Sequence, residues 1–343
     1  MVFTKYIQGT YTQFIKNVLY RYVNILVQCK QNQFFEFNWR FFLNFGLKNI
    51  ACCMKDKIII IITVLFVFSS KTISQSNCNF IFLPGGLNFM PLKANNQEAR
   101  LGLLYYTSTT NLKVDIGNTV DLLSFESSDS KTRITAGIEF MTYAFSKSYA
   151  GKRLQISAVD GFFGGNFSYS SQFEKSKLLA RFRIVHNSAH LVDGSYDADK
   201  DVWIDGKEPI PFTKDFWELT VAHQLQSENY LLKYYGGLSY AALVRPDELK
   251  KYNFNFGFEF AVPNIFGTVF SNDANIFLAD HFYLDGTAKY SGSNQLMVGM
   301  KFGSWNKKGI VIYASYYSGR DMFSSYYDRK ISKFGIGFSI DFF

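Results

Sequence analysis

The chain has 343 residues, of which 18% are aromatic, with 37 Phe and 22 Tyr but only 6 Pro. Its formal net charge is +8, yet nine Lys/Arg and two Asp/Glu fall in residues 1–76, which leaves 27 basic and 26 acidic side chains in residues 77–343. The nearly equal numbers of basic and acidic side chains exclude a basic nucleic-acid-binding surface, and no nucleic-acid partner is expected.

The first 76 residues predict export. Residues 1–53 show no sustained hydrophobic period, and we interpret them as a leading extension that is non-native or disordered; a genuine targeting extension is the alternative. Residues 54–76 predict a signal peptide, because Lys55 and Lys57 precede an apolar run at 58–68 and small residues permit cleavage after Ser74 or Ser76. That run is too short to span ~30 Å of hydrocarbon as a helix.

Residues 77–98 are expected to form a periplasmic N-terminal segment, and residues 99–343 an outer-membrane β-barrel. The barrel prediction comes from a period of two: Tyr252, Phe254, Phe256, Phe258 and Phe260 share one face of a strand and polar or small residues share the other. Five aromatics on one face suit a wall that contacts lipid better than a small soluble core.

Similar alternation recurs twelve times, an even number as bacterial barrels require. The fold class is therefore an all-β, transmembrane, antiparallel up-and-down β-barrel of about 12 strands with a narrow, side-chain-filled lumen. The predicted strands are 99–108, 112–126, 131–145, 157–171, 177–190, 215–226, 231–244, 251–262, 274–284, 294–302, 309–318 and 331–343.

The last of these strands predicts an assembly signal. Its outward face is apolar, and the chain ends in two Phe residues. The pattern of a polar residue, a glycine and two outward apolar residues looks like the signal read by the barrel-assembly machinery. It comprises Lys333, Gly335, Phe338, Ile340 and the terminal Phe343.

Several motifs in consistent order resemble a bacterial family known as domain of unknown function 1207. They are Phe80-Ile-Phe-Leu-Pro-Gly-Gly-Leu87 with Pro91-Leu92 and Glu98-Ala-Arg100, Arg183-Ile-Val-His-Asn-Ser-Ala-His-Leu191, and Tyr316-Tyr-Ser-Gly-Arg320 leading to Phe334-Gly-Ile-Gly-Phe338. The resemblance covers about residues 80–343 and implies an outer-membrane location without an established activity.

A short polar run stands out within the fifth strand. Alternation places His186, Ser188 and His190 on the face assigned to lipid. Polar groups on that face are costly unless they lie at the membrane interface or have a functional role. His223, on the next strand, is a further candidate that could approach them. A lipid-facing His-x-Ser pair is similar to the arrangement in outer-membrane phospholipase A and lipid A deacylase, which implies acyl-ester hydrolysis with His186 as base and Ser188 as nucleophile.

No residue of the sequence can be matched to the third group of such a site; Asp193 and Asp215 are unassigned candidates for it. The alternative interpretation is an interfacial girdle in which His and Ser replace Tyr and Trp. The Asp-rich stretch 193–205 lacks the ordered spacing of a calcium loop, so no metal or cofactor is expected.

These observations predict an outer-membrane barrel of uncharacterised activity, with a structural or lipid-interacting role in the envelope. The first alternative is a hydrolase of outer-leaflet lipid, and the second is a small passive pore. The expected partners are outer-membrane lipid, lipopolysaccharide and the barrel-assembly machinery.

Overall fold

The computed structural model describes residues 78–149, 153–206, 208–269 and 271–342. In these ranges the chain is all-β, and twelve antiparallel strands pair into a closed ring, which confirms the predicted barrel. No helix in the described ranges has the length and apolar character needed to cross a membrane. The predicted leading extension (1–53) and signal peptide (54–76) lie outside the described residues.

The ring strands follow one another in chain order, and the last pairs with the first. They are β2 (Leu101–Tyr106), β3 (Asn111–Ser127), β4 (Thr132–Tyr149), β5 (Arg153–Gln172), β6 (Ser176–Leu191), β9 (Phe212–Gln226), β10 (Leu231–Arg245), β11 (Tyr252–Val262), β13 (Asn272–Gly286), β14 (Tyr290–Phe302), β15 (Gly309–Arg320) and β16 (Lys330–Asp341). Each corresponds to one predicted strand.

Four short strands lie outside the ring: β1 (Cys78–Phe82), β7 (Tyr196–Asp197), β8 (Val202–Trp203) and β12 (Thr268–Val269). The connections that follow β3, β5, β9, β11 and β14 mark one end of the barrel, here called the turn end. The other end, here called the loop end, holds the connections that follow β2, β4, β6, β10, β13 and β15. β1 pairs with β3 next to the turn end, and all five of its residues are exposed.

The two faces of the wall differ in polarity, because alternate residues of a strand point to opposite sides. On β11, Tyr252, Phe254 and Phe256 point outward and are about half exposed, whereas Asn253 and Glu259 point inward and are 1% exposed. Apolar side chains outside and polar side chains inside reverse the order of a soluble protein. The outward face predicted for this strand is confirmed.

Gly335 lies at the seam where β16 closes on β2, opposite Tyr106. A Cβ atom at this position would lie 2.8 Å from both Leu104 Cδ1 and Tyr105 O, closer than side chains normally pack. Glycine therefore permits close approach of the two strands, which gives the glycine of the predicted assembly signal a physical reason.

Residues 83–100, here called the lumenal segment, connect β1 to β2, and the part from residue 88 onward is mostly buried and fills the lumen. Glu98 makes two contacts with the Arg181 guanidinium of β6, one of them at 2.9 Å from Nη1, and Gln97 accepts a hydrogen bond from Arg183 Nη2 at 2.8 Å. Phe89 lies 4.4 Å below the Arg181 guanidinium. The segment predicted to be periplasmic thus carries a buried stretch that enters the ring.

Many of the charges that face the lumen form ion pairs. Arg183 bridges Glu139 at 2.8 Å and Glu218 at 3.2 Å, and Lys233 Nζ lies 2.8 Å from Glu259. Buried ions are tolerated when they are paired and hydrogen-bonded in this way. The barrel interior is therefore a packed polar core.

Residues 321–329, here called the cap, fold over the loop end between β15 and β16. Phe323 is 1% exposed and packs its ring 5.3 Å from Tyr143 and 5.0 Å from Phe145. Tyr143 donates a 2.7 Å hydrogen bond to the carbonyl of Met322, and the Ser324 amide donates to both carboxylate oxygens of Asp160 at 3.1 Å. The lumenal segment and the cap thus fill the interior from opposite ends.

Candidate functional site

Strands β6 and β9 place His186 and Asp215 directly opposite each other on the outward face. His186 Nδ1 lies 2.5 Å from Asp215 Oδ1, and the two side chains are 35% and 43% exposed. With Nδ1 protonated, the imidazole donates to the carboxylate, which fixes the tautomer and leaves Nε2 as the basic atom. The Phe163 ring of β5 lies 4.8 Å from the imidazole on its other side. The His186 imidazole is thereby held by both neighbouring strands.

Ser188 lies two residues from His186 on the same face, one step nearer the loop end. Its neighbours across the sheet are Gly161 on β5 and Thr213 on β9. Because Gly161 has no side chain, the Ser188 hydroxyl borders an open notch; a Cβ atom at Gly161 would lie 3.8 Å from Ser188 Oγ. His186 and Ser188 are not hydrogen-bonded to each other, and catalytic hydrogen bonds often form only with substrate bound.

The structure brings one of the two carboxylates considered for the third position to the histidine. Asp215 contacts His186, while the side chain of Asp193 lies outside the described part of the chain. Register between β6 and β9 decides this contact, and register could not be read from the sequence. We call His186, Ser188 and Asp215 the His–Asp–Ser cluster.

The other two histidines named from the sequence lie elsewhere on the outward face. His190 is exposed opposite Val159, two steps beyond His186 toward the loop end. His223 lies opposite Leu178, eight residues along β6 from His186, and its Nδ1 is 2.7 Å from the Tyr234 hydroxyl. His223 is therefore not part of the cluster.

Outward aromatic side chains mark two levels of the wall. Near the loop end, Trp217, Tyr240 and Tyr252 form a row across β9, β10 and β11, with ring centroids 5.6 and 4.9 Å apart. Toward the turn end, Tyr234 packs against His223. On β9 the outward residues between Asp215 and His223 are Trp217, Leu219 and Val221, here called the apolar band, and the His–Asp–Ser cluster lies at its loop-end border on this strand.

The assembly-signal residues have distinct positions on β16. Lys333 points inward, with Nζ 4.9 Å from the centroid of Tyr106, whereas Phe338 points outward and is 44% exposed. Ile340 is half-buried, and Phe343 lies outside the described residues. Among the side chains that the structure describes, no group of three His, Cys, Asp or Glu could hold a metal ion.

Comparison of the sequence with family models gives a match over residues 78–342, to the family described as protein of unknown function (DUF1207). The chain belongs to the DUF1207 family. The matched range of this DUF1207 chain includes β1, the lumenal segment and the whole ring. A search of curated proteins gives no match.

Three solved structures are similar to the DUF1207 chain at low identity. The beta domain of the Bordetella autotransporter BrkA is 12% identical with a TM-score of 0.41, over 70% of this chain and 97% of that one. OccAB1 of Acinetobacter baumannii is 9% identical with a TM-score of 0.31, over 77% and 73%. CdiB of the same organism is 10% identical with a TM-score of 0.32, over 77% and 65%. At these values the comparisons say nothing of the activity of the DUF1207 chain.

Proposed function

We propose that this chain is an outer-membrane barrel that hydrolyses acyl esters of outer-leaflet lipid, with Ser188 as nucleophile, His186 as general base and Asp215 as its orienting group. The observation that carries the proposal is the 2.5 Å contact between His186 Nδ1 and Asp215 Oδ1 on the outward face, beside a serine. A buried polar interior explains neither residue, because both point away from it.

The outward face supports the location. Asp215 and His223, at the two borders of the apolar band, are eight residues apart on β9, or about 27 Å along the strand. At a tilt of about 40° this gives a height of roughly 20 Å, near the ~25 Å apolar band of outer-membrane barrels. The turn end would face the periplasm and the loop end the exterior, after export by the predicted signal peptide and insertion by the assembly machinery.

The chemistry follows from the roles of the three residues. His186 Nε2 takes the proton of Ser188 as Oγ attacks the ester carbonyl, and Asp215 stabilises the imidazolium that forms. The proton then passes to the departing alcohol and leaves an acyl-serine. Water activated by the same imidazole attacks this acyl group, which releases a fatty acid and restores Ser188.

Arg245 supports a phosphate-bearing lipid as substrate. It lies outward and exposed on β10 opposite Thr213, which in turn lies opposite Ser188. Ser188 and Arg245 are therefore two strands apart in one row of paired residues, and their backbones are separated by about 10 Å. A guanidinium that extends along the surface from this position would contact a lipid phosphate while an ester of the same lipid lies at Ser188.

The filled lumen favours this proposal over the passive pore. The lumenal segment and the cap occupy the space through which solutes would pass, and both are held by ion pairs or hydrogen bonds. An interfacial girdle without chemistry is the competing function, and it predicts that Ser188 is dispensable.

The test is release of fatty acid by the refolded barrel in detergent micelles, with phosphatidylethanolamine in one arm and lipopolysaccharide in the other. We expect Ser188→Ala to lower release at least about a thousandfold. Ser332→Ala is the matched control, since Ser332 is exposed on the outward face of β16 near the same end. No release by the wild type in either arm, or equal release by Ser188→Ala, refutes the proposal.

A further inference from the structure

A cavity of about 90 Å³ lies inside the barrel between the lumenal segment and the cap. Ala94–Gln97 form its floor, and Asp321, Met322, Ser324 and Tyr327 belong to its outer wall. Since a buried water needs about 10–15 Å³ by this measure, the space holds several waters or one small organic molecule. It opens on neither His186 nor Ser188, which point away from the lumen.

Lys214 contributes a cation to this cavity. The side chain is 9% exposed, and Nζ donates a 3.2 Å hydrogen bond to the Tyr283 hydroxyl. Lys93, Lys113, Lys233 and Lys301 each form an ion pair with a carboxylate in the lumen. No carboxylate of the described residues lies within 4 Å of Lys214 Nζ, so none of its three donors has a charged acceptor.

Two carboxylates line the cavity, Asp285 and Asp321, and the first is already engaged. Asp285 lies 3.2 Å from Arg320 Nη2, which is also on the wall. The wall also carries Lys250 and Asp321, so three cations face two carboxylates and one positive charge is left in excess. A buried ammonium without a counter-ion is costly, and an anion in the cavity would remove that cost.

Gln295 adds an unpaired hydrogen-bond acceptor to the same cavity. It is 3% exposed and lines the same cavity; its Nε2 donates to Ser315 Oγ at 3.0 Å, but its Oε1 is buried with no hydrogen-bond partner among the described residues. An unpaired buried acceptor calls for a donor such as a hydroxyl group.

We propose that this cavity binds a small hydroxylated carboxylate, with its anionic group on Lys214 and Arg320 and a hydroxyl donating to Gln295 Oε1. The size of the cavity suits an acid of three or four carbons. The site is independent of the proposed lipid chemistry, because its walls belong to the opposite face of the sheet.

Isothermal titration calorimetry on the refolded full chain tests this with three probes of similar size. D-glycerate carries the charge and the hydroxyls, propionate only the charge, and glycerol only the hydroxyls. We expect saturable binding of glycerate, weaker binding of propionate and none of glycerol. Lys214→Met should weaken glycerate binding about tenfold or more, and Gln295→Met should bring glycerate to the affinity of propionate.

Lys333→Met is the matched control, since Lys333 is a lumen-facing lysine stacked on Tyr106 and Phe145 and does not line the cavity. Absence of glycerate binding by the wild type, or equal binding by Lys214→Met and the wild type, overturns the proposal. If Lys214→Met does not fold, Gln295→Met decides: unchanged preference for glycerate over propionate then overturns it. Fatty-acid release is not part of this readout, so this proposal and the proposed function can fail separately.

Discussion

Lys93 Nζ of the lumenal segment lies 2.6 Å from Asp341 Oδ2 at the end of the last strand, and Lys301 Nζ of β14 lies 2.6 Å from the same oxygen. One carboxylate thus joins the lumenal segment to two strands at the turn end. Lys301 is fully buried and also donates to the carbonyls of Trp305 and Lys307.

Asp341→Asn should destabilise the folded barrel, because it leaves two buried ammonium groups without their shared carboxylate. Breaking a buried pair in this way costs about 3–5 kcal/mol. Urea unfolding in lipid vesicles measures the difference. Asp247→Asn, at an exposed carboxylate in the loop after β10, should change the free energy of unfolding by no more than about 0.5 kcal/mol; equal effects of the two substitutions would contradict the assignment.

The packing of the lumenal segment inside the barrel should weaken only in acid. Burial alone would raise the pKa of Glu98, but Arg181 and Arg183 outweigh it and lower the pKa to about 2. Because its pKa is lower in the folded state, ionised Glu98 stabilises that state at pH values above its unfolded pKa of 4.5. This contribution is lost as the pH falls toward 2. Hydrogen exchange of residues 88–98 should therefore stay slow from pH 7 to about 4.5, after correction for intrinsic rates, and become faster below.

Glu98→Gln provides the comparison for this pH dependence. It should speed exchange of the same residues at neutral pH and remove the acid-dependent step. Wild-type protection that does not change between pH 4.5 and 2 would count against the Glu98–Arg181 pair as the element that holds the segment.

Gly335→Val should hinder closure of the barrel, because its Cβ would meet Leu104 and Tyr105 across the β16–β2 seam. We expect a smaller fraction of heat-modifiable, folded protein after refolding. Gly236→Val is the matched control, since a Cβ there has its nearest neighbour at 3.8 Å, an ordinary contact. Similar folding yields for the two variants would refute a special role for Gly335.

Asp215→Asn should lower fatty-acid release by orders of magnitude while Ser188 and His186 remain in place, because an amide no longer stabilises the imidazolium. The effect should appear in kcat more than in KM, since the carboxylate acts on the base and not on the lipid. His223→Asn replaces the outward histidine at the other border of the apolar band and should leave release unchanged. Equal losses in both variants would indicate a structural role for these side chains.

The period of two in the sequence was sufficient to predict all twelve ring strands and the outward face of His186 and Ser188. Local alternation decides which way a side chain points, so a single strand carries that information. The contact of Asp215 with His186 depends instead on register between two strands, and Asp193 was an equal candidate until the register was known.

The lumenal segment could not be predicted for a related reason. Residues 88–98 have neither a period of two nor of 3.6, and their conformation is set by partners far along the chain, such as Arg181 for Glu98 and Glu259 for Lys93. Likewise, Lys214 looks like any inward polar residue of a strand until the cap and the lumenal segment are seen to enclose a space around it.

The two segments that fill the lumen immediately precede the two strands that close the ring: residues 83–100 lead into β2, and residues 321–329 lead into β16. An unzipped β2–β16 seam would leave both fillers attached to free edges, with the charged interior still hydrated. Zipping the seam would expel this water and dock both fillers together. Completion of the wall and drying of the interior should accordingly be a single cooperative step, with no stable hollow intermediate.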